Sequence, residues 1–189
     1  MTAKRSKTLT LDEVKAELAA IARLGQMFIE GDECRKMYTP DSQAFMSGDD
    51  LNFDAGVTAP IKKHLLRLEQ LCRIPISTTL WRRRPDLPDC GEAHLFGSVR
   101  AFDAVKSPPN RGYRPQKMFR ELRRVFLEGK PAWKTVDSRP GAELLIDRGL
   151  FLPTKESNPN PTVRYFVPIE DSMGEVAAAL EVFTIASRE

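Results

Sequence analysis

The side chains best able to do chemistry in this 189-residue chain are few: two histidines, three cysteines, and arginines interspersed with aromatics. His94 follows Cys90 in a C-x-x-x-H spacing, which offers two ligands to zinc or one axial ligand to a haem. A soft-metal site needs three or four ligands and no second pair is placed nearby, so no metal and no cofactor is expected. His64 falls between Ile61 and Leu68 at helical spacing with no serine or cysteine nucleophile motif beside it, and it reads as a packed or surface histidine. Cys34, Cys72 and Cys90 are odd in number and form no C-x-x-C, which argues against a disulfide framework and suits a reducing compartment. Neither G-x-x-x-x-G-K-[ST] nor G-x-G-x-x-G occurs, so nucleotide hydrolysis has nothing to rest on. Asp49, Asp50 and Asp54 cluster without the closing glutamate of an EF-hand, and loop solvation explains them better. No residue stands out as catalytic, and the chain is not expected to be an enzyme.

Binding is better supplied than catalysis. Trp81, Phe96, Tyr113, Trp133 and Tyr165 are candidate walls of a small-molecule pocket, although a large aromatic on a sheet is more often core. Arg83, Arg100, Arg148 and Arg164 are candidate partners for a carboxylate, which a guanidinium grips with two parallel bonds. Arg82, Arg83 and Arg84 follow Trp81, a juxtaposition that also suits nucleic acid, but successive residues of a strand point to opposite faces and do not make one patch. Nucleic acid is therefore not the expected partner.

Charge narrows the partners further. The net charge of +3 is carried by Lys4, Arg5 and Lys7, and residues 9–189 hold 26 basic and 26 acidic side chains. The distribution is uneven, with 14 basic against 6 acidic residues over 73–134. Such an excess attracts anions or an acidic partner, though a solvated face is its commoner meaning. With 41% hydrophobic and 29% charged residues the composition is that of a soluble globular chain holding one core. No run approaches the roughly 18 apolar residues of a membrane span, so the chain as written is expected in the cytoplasm, unless it is an excised sensor domain.

The elements that would position these residues follow from spacing. Thr10 and Glu13 have capping-box separation, so a helix starts near Leu11, after a disordered basic tail over residues 1–8. Leu11, Val14, Leu18, Ile21 and Phe28, with Gly25 between, fall in heptad steps, which suits either the domain's own core or a second copy. Residues 31–54 read as a loop with one helical turn. Thr58 and Pro60 open a second helix that ends near Arg73. The period then changes to two: residues 74–83 and 94–102 read as an antiparallel pair of strands. Pro115 leads into a helix whose apolar face is Met118, Phe119, Leu122, Val125 and Phe126, closed by Gly129. Strand-like runs follow at 132–136, 144–152, 163–169 and 176–185. The last is ambiguous, since its alanines also permit a helix.

This order predicts an α+β domain over residues 9–189, with an N-terminal helix and loop (9–58) and an α/β core (59–189) built on one antiparallel sheet of five to six strands. Residues 163–185, VRYFVPIEDSMGEVAAALEVFTI, and 119–135, FRELRRVFLEGKPAWKT, resemble the closing hairpin and the inserted helix of the PAS/Cache superfamily of bacterial sensor domains. Such domains carry an N-terminal helix and a central antiparallel sheet with a helix inserted between its second and third strands. The resemblance implies signal transduction by a non-catalytic sensor domain that binds a small polar or anionic metabolite between sheet and inserted helix. Its ligand residues would be Trp81, Arg83, Phe96, Arg100, Tyr113, Trp133, Arg148 and Tyr165, and it would form a homodimer through the first helix. The competing expectation is an interaction or adaptor protein that turns its basic middle third to an acidic partner or nucleic acid.

Overall fold

Thr10 starts the first helix as its spacing predicts. Its hydroxyl accepts from the Glu13 backbone N–H at 3.2 Å, and the Glu13 carboxylate accepts from the Thr10 N–H at 2.8 Å. The computed structural model describes residues 7–37, 55–83, 89–97, 116–135, 142–146 and 162–188. Helix α1 spans Leu11–Phe28 and is followed by α2, Gly31–Lys36, within the stretch where one helical turn is expected. Helix α3 runs Ala55–Leu71. It begins three residues before Thr58, so Thr58 does not cap it, and Pro60 lies inside it. The proline gives up one backbone bond, toward residue 56, and the neighbouring turns carry the helix past it. Helix α4, Arg120–Glu128, closes on Gly129 at φ 64°, the left-handed conformation that glycine adopts without a Cβ penalty.

Among the described residues eight strands pair antiparallel: β1 Lys7–Thr10, β2 Ser77–Arg83, β3 Cys90–Phe96, β4 Gln116–Lys117, β5 Ala132–Lys134, β6 Glu143–Ile146, β7 Thr162–Glu170 and β8 Val176–Arg188. Five of them form the central sheet in the order β3-β2-β8-β7-β5, with β4 beside β3. At the far end of β8, β6 pairs with residues 186–188 and β1 pairs with β6. The basic tail is thereby corrected at its end: Lys7 and Thr8 are strand, held opposite Ile146 and Leu145. The ambiguous run is strand β8, because its register along β7, with Val163 opposite Thr184 and Ile169 opposite Ala178, satisfies backbone groups that alanine propensity alone would have left to a helix. Pro168 is tolerated inside β7 because its nitrogen lies on the same edge as its carbonyl, which accepts from Gln26 Nε2 at 2.9 Å, and β5 does not reach that stretch of the edge, so no ladder donor is missing.

Both faces of the sheet are covered, which divides the core in two. On one face α1 and α3 pack Leu18, Ile21, Leu65 and Leu68 against Leu80, Val167, Leu180 and Val182. On the other, α4 packs Leu122, Val125 and Phe126 against Trp81, Phe166 and Ala179. Leu11, Val14, Leu18 and Ile21 are at most 4% exposed. The heptad seam from Leu11 to Ile21 therefore faces its own sheet, while Phe28 at its end is exposed, and a homodimer through the seam would require α1 to unpack. No helix among the described residues is long and apolar enough to cross a membrane.

Candidate functional site

Strand alternation decides which side chains can meet. On β2, Thr78 points to α3, where its hydroxyl and N–H meet the Glu69 carboxylate at 2.9 and 2.8 Å, so Ser77, Thr79 and Trp81 point to the α4 side. The pairing then lays out rows across that face. Lys134, Arg164, Phe183 and Ser77 stand side by side on β5, β7, β8 and β2, and the next row is Ala132, Phe166, Glu181 and Thr79.

Glu181 is the unexpected member. It is 1% exposed, in the middle of a sheet, and burial of a lone carboxylate there would be costly without partners. It has two: Trp81 Nε1 donates to Oε2 at 2.7 Å, and Arg164 Nε donates to Oε1. Arg164 is 26% exposed and lies over three rings, with its guanidinium carbon 5.6 Å from the centroid of Phe119, 5.3 Å from Phe166 and 6.0 Å from Phe183. Phe119 in turn meets Trp81 edge-on at 5.7 Å and carries Lys134 Nζ at 5.6 Å. The ion pair thus spends only Arg164 Nε, and no hydrogen bond of the described residues occupies its two terminal nitrogens. A guanidinium fixed in this way presents a planar pair of donors, the geometry that a carboxylate accepts.

The sequence-derived candidates separate on this frame. Trp81 belongs to the cluster, and Arg83 lies exposed at the end of the same strand. Phe96 stands opposite Thr79 in the β2–β3 register. Trp133 and Tyr165 are stacked at 3.9 Å, but on the α1 side, with Lys15 Nζ 5.9 Å from the Trp133 ring. The sheet lies between them and Trp81, so these three aromatics do not wall one pocket; burial also raises the Tyr165 hydroxyl above its ordinary pKa. Arg100, Tyr113 and Arg148 lie outside the described residues. Arg82, between Trp81 and Arg83, is buried on the other side, with Nη1 donating to the Met37 carbonyl at 2.7 Å, as alternation requires.

Nucleophiles are poorly placed. Burial pushes the Cys34 thiol up to about 12, against the smaller opposing effect of Arg82, so it stays protonated. Cys72 is raised as well, mainly by burial. Cys90 and His94 both lie on β3, and no group of three possible metal ligands occurs among the described residues. No family model matches this chain, and no curated protein is similar to it.

Glu181 was not among the candidates, yet a signal for it exists. It is the only charge in residues 176–185, and a single carboxylate in so apolar a strand calls for a buried partner.

Proposed function

We propose that the chain is a non-catalytic sensor domain of PAS/Cache type, binding a small polar or anionic metabolite on the sheet face that α4 covers and passing its occupancy on as a signal. The observation that carries this reading is Arg164: anchored through Nε by buried Glu181, set among three phenylalanines, its terminal nitrogens unspent by the described residues. Element order supports it too, since α1 precedes the five central strands, α4 is inserted between the second and third of them, β3 and β5, and the β7–β8 hairpin closes the core. A thermal-shift screen of carboxylates, amines and nucleobases tests it. A ligand at about 100 times its Kd raises stability by about 2.7 kcal/mol, and the rise should vanish in Arg164→Leu measured against its own baseline. A screen without hits, or a hit indifferent to Arg164, removes the reading.

A second reading, an adaptor that engages an acidic partner, draws on α4 itself. Arg120, Arg123 and Arg124 occupy the exposed side of its first half and Glu128 its last turn, which carries no cation. Glu121 is the acid of the first turn, but the three arginines of that half outnumber it at the end where a helix dipole favours negative charge, so the dipole does not account for them. Salt-sensitive binding of a poly-glutamate peptide that is lost in an Arg120→Glu, Arg124→Glu double variant is the expected outcome for that reading. Unchanged binding in the variant removes it.

A further inference from the structure

The row Lys134–Arg164–Phe183–Ser77 holds a second unexplained group. Ser77 is 1% exposed, and its Oγ has no hydrogen-bond partner among the described residues. A buried hydroxyl without a partner is uncommon, because losing water without replacement costs free energy. Its neighbour in the row, Phe183, is half-buried and offers a ring between the hydroxyl and the guanidinium. At the other end Lys134 and Arg164 are direct cross-strand neighbours of like charge, a pairing that disfavours itself, and Glu181 offsets only one of them. The row therefore runs from surplus positive charge, across an apolar ring, to an orphan hydroxyl. Two strand spacings of about 4.8 Å separate Arg164 from Ser77.

We infer that the ligand of this face is a small aryl carboxylate with a second polar group at its far end: carboxylate on Arg164 and Lys134, flat apolar body over Phe183, and a hydroxyl or carbonyl on Ser77 Oγ. The inference rests on the sensor reading and specifies its ligand class. A planar carboxylate uses both free guanidinium nitrogens, and Ser77, both donor and acceptor, takes either kind of polar group.

Four probes separate the three contacts by titration calorimetry: acetate, phenylacetate, para-hydroxyphenylacetate and para-hydroxyphenethyl alcohol. The expected order places para-hydroxyphenylacetate first, about tenfold tighter than phenylacetate, as one added buried hydrogen bond implies, with acetate and the alcohol far weaker. Ser77→Ala should abolish that tenfold preference and leave phenylacetate unchanged, and it should fold normally because it deletes an unsatisfied hydroxyl. Arg164→Lys should weaken both aryl carboxylates and not the alcohol. Equal affinity of the two aryl carboxylates for the parent, survival of the preference in Ser77→Ala, or no binding of any probe overturns the assignment. If the probes fail while another metabolite stabilises the parent and not Arg164→Leu, the ligand class is wrong and the sensor reading stands. If the wider screen is also empty, both fall.

Discussion

Glu181 and Arg164 form a pair whose two halves differ in access to water, the carboxylate 1% and the guanidinium 26% exposed. Removing either half therefore has unequal effects. Arg164→Leu strands a buried carboxylate with only Trp81 for a partner and should cost about 3–5 kcal/mol, the range for breaking a buried pair. Glu181→Leu frees an arginine that still reaches solvent and should cost less. Combining both should recover much of the Arg164→Leu loss, because two well-packed apolar groups replace a desolvated pair. Urea denaturation of the three variants checks the cycle; a double variant as unstable as the sum of the singles would show that the two residues are not coupled. At this scale the sequence was only partly legible. Arg164 and Trp81 were both candidates by residue type, but they meet through Glu181, 100 residues from Trp81 in the chain, and spacing does not encode that.

Two of the close approaches where a Cβ finds no room hold helices to the sheet. A Cβ on Gly25 of α1 would overlap the Leu180 side chain, and one on Gly31 at the start of α2 would overlap the backbone of Glu170 and Asp171. A leucine side chain turns aside, whereas backbone at the end of β7 does not. Gly31→Ala should therefore lower stability by about 1–3 kcal/mol, the usual cost of overpacking, and Gly25→Ala by less. Thermal melts of the two variants decide it; the reverse order would mean that the α2 contact yields more easily than the α1 contact. Boundaries marked by capping chemistry, Thr10 with Glu13 and the Gly129 exit, were legible because they are written within four residues. β1 and β4 were not, since their four and two residues show no period and become strands only because β6 and β3 offer partners. The heptad seam illustrates the remaining ambiguity: one spacing serves a second copy and a sheet equally, and here the sheet takes it.

For the whole molecule, α2 is tied to the β7–β8 turn by Arg35, which donates to Asp171 and, at 3.0 Å, to Glu175. The Asp171 carboxylate also accepts from the backbone N–H groups of Glu175 and Met173, each at 2.9 Å. The Glu175 N–H first, and Arg35 with the Met173 N–H after it, hold this carboxyl below its ordinary value of 3.8, against a smaller opposing effect of burial. The unfolded chain then binds the proton first as pH falls. The stability Asp171 contributes is complete above pH about 4, near the unfolded value, and is lost as pH drops through the lower folded value. Asp171→Asn should show lower stability at neutral pH and a shallower loss below pH 4 than the parent, as read from urea midpoints between pH 2 and 7. Parallel curves would show that this carboxylate does not contribute to acid sensitivity. The α+β class and the antiparallel sheet were legible at this scale from the change of period along the chain. The strand order was not, because it is set by which edges are left to pair.

That order also governs how the chain comes off a ribosome. β2, β6 and β7 all take the same partner, β8, and all are made before it. At about 5–20 residues per second, β2 emerges roughly 5–20 s ahead of the strand that must sit beside it. During that interval Leu80 and Trp81 have neither β8 at their side nor a finished core above and below. Translation speed across residues 84–175, and the holdase chaperones present meanwhile, thus bear directly on yield: a pause there prolongs an open, sticky hairpin edge, and synthesis of β8 ends the exposure of three strands in one step.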